Sequence, residues 1–464
     1  MEAAMNNSTF HQHQGLAKLG LDDVDARVLV VGLGVTGLSV ARFLYQNKVQ
    51  VAVVDSRDVP PGLLELEKDY QDIAVFTGEF VADAFAVATH LVVSPGISLQ
   101  QADVQHSASR GVRILGDIDI FAVCADAPIA CITGSNGKST VTTLLGNMAR
   151  EAGLDVRVGG NLGTAALDLL SGVKPDLYVL ELSSFQLERT SQLNAAAATV
   201  LNVTADHMDR YTNMDAYVRA KAVIYNGNGL MVLNRADELV MALADIARQC
   251  TTFGLDMPDD GEYGVLTVQQ IDYLAKGDEL LLPVIKLKIK GLHNIENALA
   301  AMALADAFSI PKQAQKKALR TFSGLAHRTQ WIAEINKITW INDSKATNPG
   351  ASLAAIEGLL GPIVLIAGGD GKGASFSTMC EAIKTHVVQL VLLGKDAQRF
   401  KEEAAGHVSC QFADTIEQAV ELANKIATEG DTVLLSPACA SLDQFANYQE
   451  RGNRFIAAVE SLIE

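Results

Sequence analysis

The chain has 464 residues, which is too long for one ordinary hydrophobic core and predicts two or three domains. It carries 37 Lys and Arg against 54 Asp and Glu, a formal charge of -17, so its bulk charge repels nucleic acid and anionic membrane surfaces. Its apolar runs are all shorter than the about 18 residues of a membrane-spanning helix, and we expect neither nucleic-acid binding nor membrane insertion.

The six cysteines are scattered and form no C-x-x-C pair. This spacing suggests neither a zinc cluster nor a disulfide framework, and it fits a reducing compartment. We therefore expect a cytoplasmic protein.

The first third of the chain reads as strand, glycine turn, helix and strand, the pattern of a parallel α/β unit. ARVLVVGLGVTG leads into LSVARFLYQN and then VQVAVVDSRD. Its glycine cluster from Gly32 to Gly37 matches G-x-G-x-x-G, and Asp55 ends the next strand as a candidate ribose or base acceptor. Taken literally, the motif predicts NAD. Any nucleotide diphosphate can bind the same turn, however, and glycine turns that bind no ligand and serve only packing are also common.

A phosphate-binding loop opens the middle third, where the strand PIACIT is followed by GSNGKS and the helix STVTTLLGNMAREAG. Backbone N–H groups at such a helix N-terminus bind polyphosphate, and four residues are predicted to provide them: Gly134, Ser135, Asn136 and Gly137. Lys138 would reach the β- and γ-phosphates and Ser139 would face Mg²⁺. Ile132 stands where the commonest P-loop pattern has its first glycine, and an ordinary glycine turn is the alternative.

Three polar residues further along are weaker candidates when each is taken alone. Glu181 follows an apolar strand and could reach a metal near the loop. His207 has acidic neighbours, although a lone histidine is more often a packing residue. Lys221 lies on a predicted helix, where a solvated cation is the usual interpretation.

The remainder predicts antiparallel strands over residues 231–290, packed beside the parallel core, and then a third α/β unit. Three polar motifs of that unit follow predicted strands: DSKATN at 343–348, GGDGKG at 368–373 and SPACAS at 436–441. Each could be a mere turn, but three on successive strand ends favour a ligand site.

Eight segments, in order over nearly the whole chain, resemble the Mur ligases: GSNGKS, ELSSFQLE, DHMDRY, HNIENALAA, HRTQ, DSKATN, GGDGKG and SPACASLDQF. The resemblance implies an α/β protein of three domains. These are a Rossmann-like UDP-sugar-binding domain at 1–116, a P-loop ATP-binding central domain at 117–323 with a parallel sheet plus a small antiparallel sheet, and a Rossmann-like amino-acid-binding domain at 324–464.

The resemblance also implies residue roles. Lys138, Glu181, His207 and Lys221 would be catalytic, and Ser139 with the last three would serve two Mg²⁺ sites, Lys221 as a carbamate. ATP would contact the P-loop and five further residues: Asn294, Asn297, Arg328, Asp343 and Lys345. The sugar nucleotide would contact Val35, Thr36, Asp55, Ser56, Ser94, Gly96 and Asn161. D-Glutamate would contact Lys372, Ser441 and Tyr448, the last standing where we expect phenylalanine.

The implied activity is ATP-dependent addition of D-glutamate to UDP-N-acetylmuramoyl-L-alanine by a monomer in peptidoglycan synthesis. Three alternatives remain open. A folate polyglutamate-adding ligase would share GSNGKS but should lack the GLGVTG domain. An NAD-dependent oxidoreductase would leave GSNGKS without a role, and a non-catalytic nucleotide switch would bind ATP without turnover.

Overall fold

The computed structural model describes residues 2–204, 210–245, 247–359, 361–404 and 408–463. By its internal contacts the chain divides into a larger unit, Met1–Leu282 with Asn297–Ala318, and a smaller unit, Pro283–Glu296 with Leu319–Glu464. The His207 prediction and its acidic neighbours lie outside the described residues. Within the described residues, no helix is both long and apolar enough to cross a bilayer.

The first sheet belongs to the larger unit and has five parallel strands in the order β3-β2-β1-β4-β5. The elements of this region are α1 Glu2–Lys18, β1 Val28–Val31, α2 Val35–Gln46, β2 Val51–Asp55, α3 Leu63–Asp69, β3 Ala74–Thr77, α4 Ala82–Val87, β4 His90–Val93, α5 Ala102–Ser109, β5 Arg113–Leu115 and α6 Asp117–Cys124. The chain moves outward from β1 to β3 and then restarts on the other side at β4. The crevice between β1 and β4 is therefore the topological switch point, where open α/β sheets bind ligands.

The second sheet has nine strands in the order β14-β13-β12-β11-β10-β9-β6-β8-β7. The elements are β6 Ile129–Thr133, α7 Lys138–Glu151, β7 Val156–Gly160, β8 Leu177–Glu181, α8 Ser184–Leu187, β9 Ala197–Val200, α9 Met214–Ala222, β10 Leu230–Asn234, α10 Glu238–Met241, β11 Cys250–Phe253, β12 Tyr263–Val268, β13 Ile271–Lys276, β14 Glu279–Pro283, α11 Leu292–Ala307 and α12 Lys312–Thr321. Strands β6, β8 and β9 are buried along their whole length, as their continuous apolar sequence requires. Strand β6 lies at the switch point of this sheet.

The third sheet lies in the smaller unit and has six strands in the order β15-β16-β20-β17-β18-β19. The elements are β15 Gln330–Ile335, β16 Ile338–Asn342, α13 Pro349–Glu357, β17 Ile363–Gly368, α14 Cys380–His386, β18 Val387–Leu393, α15 Ala397–Ala404, β19 Cys410–Ala413, α16 Ile416–Ile426, β20 Thr432–Leu435 and α17 Tyr448–Glu460. Among the described strand pairs of this sheet, β15 and β16 pair antiparallel and the others are parallel. All three predicted motifs of this region follow strands, namely β16, β17 and β20.

The predicted fold class is confirmed, but the prediction of antiparallel strands over residues 231–290 is corrected in two ways. Strands β10 and β11 lie in that range and are parallel, since β10 pairs parallel with both β9 and β11. Strands β12 and β13 do pair antiparallel, but β12 joins β11 through Phe253 and Tyr263, so these strands extend the parallel sheet instead of packing beside it. The three sheets span residues 28–115, 129–283 and 330–435. The boundaries at 116 and 323 fall between these spans and stay predictions.

Candidate active site

The switch point of the first sheet brings two predicted sugar-nucleotide segments together. Ser94, just after β4, donates its hydroxyl to Gly32 O at 2.8 Å, just after β1. A Cβ at Gly37 would lie 1.8 Å from Gly32 O, so the turn closes only with glycine there. Val35 is 70% exposed at the start of α2, on the open side of the turn.

Asp55, at the end of β2, is almost fully buried and fastens the same glycine turn. Its carboxylate accepts hydrogen bonds from Leu33 N at 2.7 Å and from Arg57 N, Nε and Nη2 at 2.9, 2.8 and 2.7 Å. Burial alone would raise the pKa of Asp55, but the hydrogen bonds from Arg57 and Leu33 outweigh it and hold the pKa below its ordinary value. The four acceptor positions of this carboxylate are therefore filled by the protein, whereas Ser56 beside it is exposed.

The P-loop runs from the end of β6 into α7 as predicted, but it is braced by a residue that the sequence did not indicate. Ser135 N donates to Asn202 O at 2.9 Å, and Asn136 N donates to Asn202 Oδ1 at 2.8 Å. Two of the four amides predicted for phosphate are thus used internally. The first amides of α7, which begins at Lys138, have no intrahelical acceptor and point along the helix axis toward the loop.

Because Gly137 has no side chain, Asn297 can lie directly beside the P-loop. Its φ of 82° is left-handed, and a Cβ there would lie 2.3 Å from Asn297 Oδ1. Both residues belong to the larger unit. Asn297, predicted to contact ATP, is therefore held within contact distance of the loop.

Two lysines meet at one carbonyl of the loop. Lys138 Nζ donates to Gly134 O and Ser135 O, each at 2.8 Å, and Lys221 Nζ donates to Gly134 O at 2.8 Å. Lys221 is 1% exposed and lies 4.5 Å from the ring centre of Tyr217. The interpretation of Lys221 as a solvated surface cation is wrong, because α9 buries this side chain against the P-loop.

Glu181 ends β8 and is paired in register with Ile132 of β6, which places it next to the strand that carries the P-loop. It is 2% exposed, and its Oε1 accepts a hydrogen bond from Asn161 Nδ2 at 2.6 Å. Its buried Oε2 has no hydrogen-bond partner among the described residues. A buried carboxylate oxygen without a donor is costly, and it is the kind of oxygen that binds a hard divalent cation.

The metal prediction is consistent with this donor set but rests on few ligands. Among the described residues there is no group of three or more His, Cys, Asp or Glu that could hold an ion. Of the predicted metal ligands that the structure describes, Glu181 provides a buried carboxylate, Ser139 lies at the start of α7 and Lys221 is buried at the loop. Lys221 would become an anionic metal ligand only as a carbamate.

Three residues that support the P-loop were missed by the sequence reasoning: Asn202, Thr204 and Tyr217. Thr204 N donates to Ser135 Oγ at 3.0 Å, and Tyr217 OH lies 3.2 Å from the same oxygen. Asn202 and Thr204 follow β9 in the run LNVT. Polar residues that directly follow parallel strands often line ligand sites, and this rule would have indicated Asn202 and Thr204.

In the smaller unit, Asp343 follows β16 and is buried at the end of the sheet. Its Oδ1 accepts from Thr329 N at 3.0 Å and its Oδ2 from Ser436 Oγ at 2.8 Å. Burial raises the pKa of Asp343 to about 7, against the opposing effect of these hydrogen bonds and of Arg328. The motifs after β16 and β20 are thereby joined.

Of the predicted D-glutamate residues, Lys372 and Ser441 lie on two loops that contact one another, whereas Tyr448 begins α17 and contacts the loop after β16. Lys372 follows Asp370, whose backbone pairs with Ala440, the neighbour of the buried Ser441. Ser344 Oγ donates to Tyr448 O at 2.8 Å, and Lys345 Nζ lies 5.5 Å from the ring centre of Tyr448. The remaining predicted residue of this unit, Asn294, donates its side-chain amide to Lys290 O at 2.8 Å.

Arg451 organises these loops and was not indicated by the sequence. It is 1% exposed and donates to Ser344 Oγ, Ser344 O and Cys439 O at 3.0, 2.8 and 3.2 Å. Burial lowers the pKa of its guanidinium to about 10. An arginine on the polar-looking helix α17 is usually exposed, so nothing in the local pattern distinguished it.

A P-loop at the switch point of one sheet, with two further α/β sheets in the chain, defines a nucleotide-dependent enzyme of the α/β class. Three family models match the sequence: the Mur ligase MurD-like N-terminal domain over residues 26–116, the Mur ligase middle domain over 132–305, and the Mur ligase glutamate ligase domain over 327–439.

Sequence relatives cover nearly the whole chain. A UDP-N-acetylmuramoylalanine–D-glutamate ligase of Methylococcus capsulatus is 51% identical over 448 residues, which are 97% of each chain. A ligase of the same name from Pseudomonas putida is 50% identical over 94% of this chain and 97% of its own. The crystal structure of the UDP-N-acetylmuramate-alanine ligase of Thermotoga maritima covers 94% of this chain and 99% of its own, with a TM-score of 0.54 at 20% identity, and supports the fold alone.

The chain belongs to the Mur ligase family, which forms amide bonds at the expense of ATP.

Proposed function

We propose that the chain joins D-glutamate to UDP-N-acetylmuramoyl-L-alanine, converting ATP to ADP and phosphate, in the synthesis of peptidoglycan precursors. The observation that carries this proposal is the identity of about half of all residues, over almost the full length, with ligases named for that reaction. The match of residues 327–439 to a glutamate ligase domain agrees with it.

The first chemical step is activation of a carboxylate, which is a poor electrophile. The alanyl carboxylate of the sugar nucleotide attacks the γ-phosphorus of ATP, so that an acyl phosphate forms and ADP leaves. Positioning and charge neutralisation do most of this work. The residues suited to it are Lys138, whose ammonium lies on the P-loop carbonyls, and the N-terminus of α7.

In the second step the amine of D-glutamate attacks the acyl carbon, the tetrahedral intermediate collapses, and phosphate leaves. The amine loses a proton in the process, and His207 stays our prediction for the acceptor. Lys372, Ser441 and Tyr448 stay predictions for holding D-glutamate. The support is that the loops of Lys372 and Ser441 pair through Asp370 and Ala440, and that Tyr448, at the start of α17, accepts a hydrogen bond from Ser344.

Mg²⁺ would supply the positive charge that brings a polyphosphate and a carboxylate together in a chain with a formal charge of -17. Ser139 and Glu181 would hold it, and the unpartnered Oε2 of Glu181 supports this assignment. Two such sites stay a prediction, as do the monomeric state and the cytoplasmic location.

We further propose that Lys221 reacts with CO₂ to form a carbamate. The reaction requires the neutral amine, which burial favours, and Lys221 is buried on the P-loop. Protein equilibrated with ¹³C-bicarbonate should show one carbamate carbon by NMR, which Lys221→Arg should remove. A spectrum without that signal would leave Lys221 as an ordinary ammonium.

The activity is tested by phosphate release from Mg-ATP in the presence of UDP-N-acetylmuramoyl-L-alanine and one amino acid at a time. We expect release only with D-glutamate, and not with L-glutamate, D-alanine or no amino acid. Lys138→Met should abolish release. Release with a folate substrate, or ATP binding without any release, would instead favour the polyglutamate ligase or the nucleotide switch, and nicotinamide binding would favour the oxidoreductase.

A further inference from the structure

Two arginines of the second sheet's region hold the turn that follows β4, residues 94–98, which we call the 94–98 turn. Arg189 Nη2 donates to Ile97 O at 2.6 Å, and its Nη1 lies 3.5 Å from Pro95 O. Arg210 Nη1 donates to Pro95 O at 3.1 Å and its Nη2 to Ile97 O at 3.3 Å. Two guanidinium groups therefore bind the same two carbonyl oxygens.

Burying the guanidinium of Arg189 close to that of Arg210 is electrostatically unfavourable. The side chain of Arg189 is fully buried, its Nε has no hydrogen-bond partner among the described residues, and burial lowers its pKa to about 10. Glu188 lies 3.2 Å from Arg189 and also pairs with Arg210, so one carboxylate faces two cations. The ring of Phe185 lies 4.2 Å below the guanidinium of Arg210.

The carbonyl oxygens that these arginines hold lie on either side of Gly96. A trans peptide is planar, and its C=O and N–H point in opposite directions. Holding Pro95 O on the arginines therefore aims the N–H of Gly96 away from them. Gly96 is exposed, and a Cβ there would meet no atom within 4 Å, so Gly96 borders open space.

The other end of the turn is fixed to the first glycine loop, since Ser94 Oγ donates to Gly32 O at 2.8 Å. The turn is thus fastened at both ends while its middle residue faces an opening. Such an arrangement keeps a backbone donor in place before a ligand arrives, which reduces the entropy lost on binding.

We propose that Arg189 and Arg210 are positioning residues for the sugar nucleotide, which aim the Gly96 amide at the part of that substrate beyond its uridine diphosphate. The proposal rests on the function proposed above and assigns roles to two arginines that had none in the sequence analysis, although Arg210 lies within the DHMDRY segment.

The test compares Arg189→Met, Arg210→Met and Arg210→Lys with wild type by calorimetry, using UDP-N-acetylmuramoyl-L-alanine and UDP as separate ligands. The two methionine variants should bind the full sugar nucleotide at least about tenfold more weakly and bind UDP as wild type does. Their KM for the sugar nucleotide should rise while the KM for ATP and kcat at saturation stay unchanged. Arg210→Lys should recover part of the affinity, because it keeps a cationic donor group that can reach one of the two carbonyls.

Arg248→Met is the matched control, because Arg248 also binds backbone carbonyls of the same region, those of Tyr225 and Gly229, away from the turn. It should leave sugar-nucleotide binding unchanged. Wild-type affinity in both methionine variants, or an equal loss for UDP, ATP and the sugar nucleotide, would overturn the proposal. Failure of the wild type itself to bind the sugar nucleotide would overturn the proposed function instead.

Discussion

Glu181 and Asp343 are both carboxylates buried at the carboxyl ends of parallel strands, but their surroundings differ. Both oxygens of Asp343 accept hydrogen bonds, whereas Oε2 of Glu181 has no partner among the described residues. Glu181 thus keeps one whole oxygen without a donor among these residues, whereas each oxygen of Asp343 already accepts a hydrogen bond. The difference supports a metal role for Glu181, while Asp343 already joins two loops of the third sheet.

Asp343 should make stability depend on pH. Its pKa is about 7 in the folded chain against an ordinary 3.8, so between these values the folded chain keeps a proton that the unfolded chain has released. Its contribution to stability is therefore lost as pH rises from about 4 to about 7, at no more than ~1.4 kcal/mol per pH unit. Asp343→Asn stays neutral, and its amide can donate to Ser436 while accepting from Thr329.

The measurement is the thermal unfolding temperature of wild type and Asp343→Asn at pH 5, 6, 7 and 8. We expect the unfolding temperature of Asp343→Asn, relative to that of wild type, to increase as pH rises. Asp69→Asn, which changes an exposed acid, should keep a constant difference from wild type. The same constant difference for Asp343→Asn would show that Asp343 titrates alike in the folded and unfolded chains.

Helix α7 has a left-handed glycine at each end, with φ of 82° at Gly137 and 81° at Gly153. The two positions carry the same backbone strain but differ in their neighbours. A Cβ at Gly137 would collide with Asn297 Oδ1, whereas one at Gly153 would meet nothing within 4 Å. The N-terminal glycine therefore has a second role, which is to let Asn297 approach the P-loop.

Alanine substitutions should separate these two roles. Gly137→Ala and Gly153→Ala should each destabilise the chain by about 1–2 kcal/mol, the cost of a left-handed alanine. Only Gly137→Ala should also weaken ATP binding, by about tenfold, because Asn297 is displaced. Unfolding in urea and titration with a fluorescent ATP analogue would measure the two effects, and equal ATP affinity in both variants would contradict the argument.

At the scale of the whole molecule, the sequence predicted what is encoded locally. GSNGKS lies between a strand and a helix, and the polar motifs after β16, β17 and β20 were recognisable from a few neighbouring residues. The pairing of β12 with β11 depends on distant partners, so the continuous nine-stranded sheet was not predicted. Arg451 and Arg189 were missed because the burial of an arginine depends on loops far away in sequence.

Asn202 braces the P-loop from 66 positions further along the chain. During synthesis the ribosome therefore releases GSNGKS well before the residue that shapes it, and also before β8 and β9, which flank β6. The first sheet, complete at residue 115, has no such delay. A nascent chain that ends before Asn202 contains the whole GSNGKS motif but lacks the residue that holds the P-loop in shape. ATP therefore has no fully formed P-loop to bind and stabilise until translation has passed Asn202.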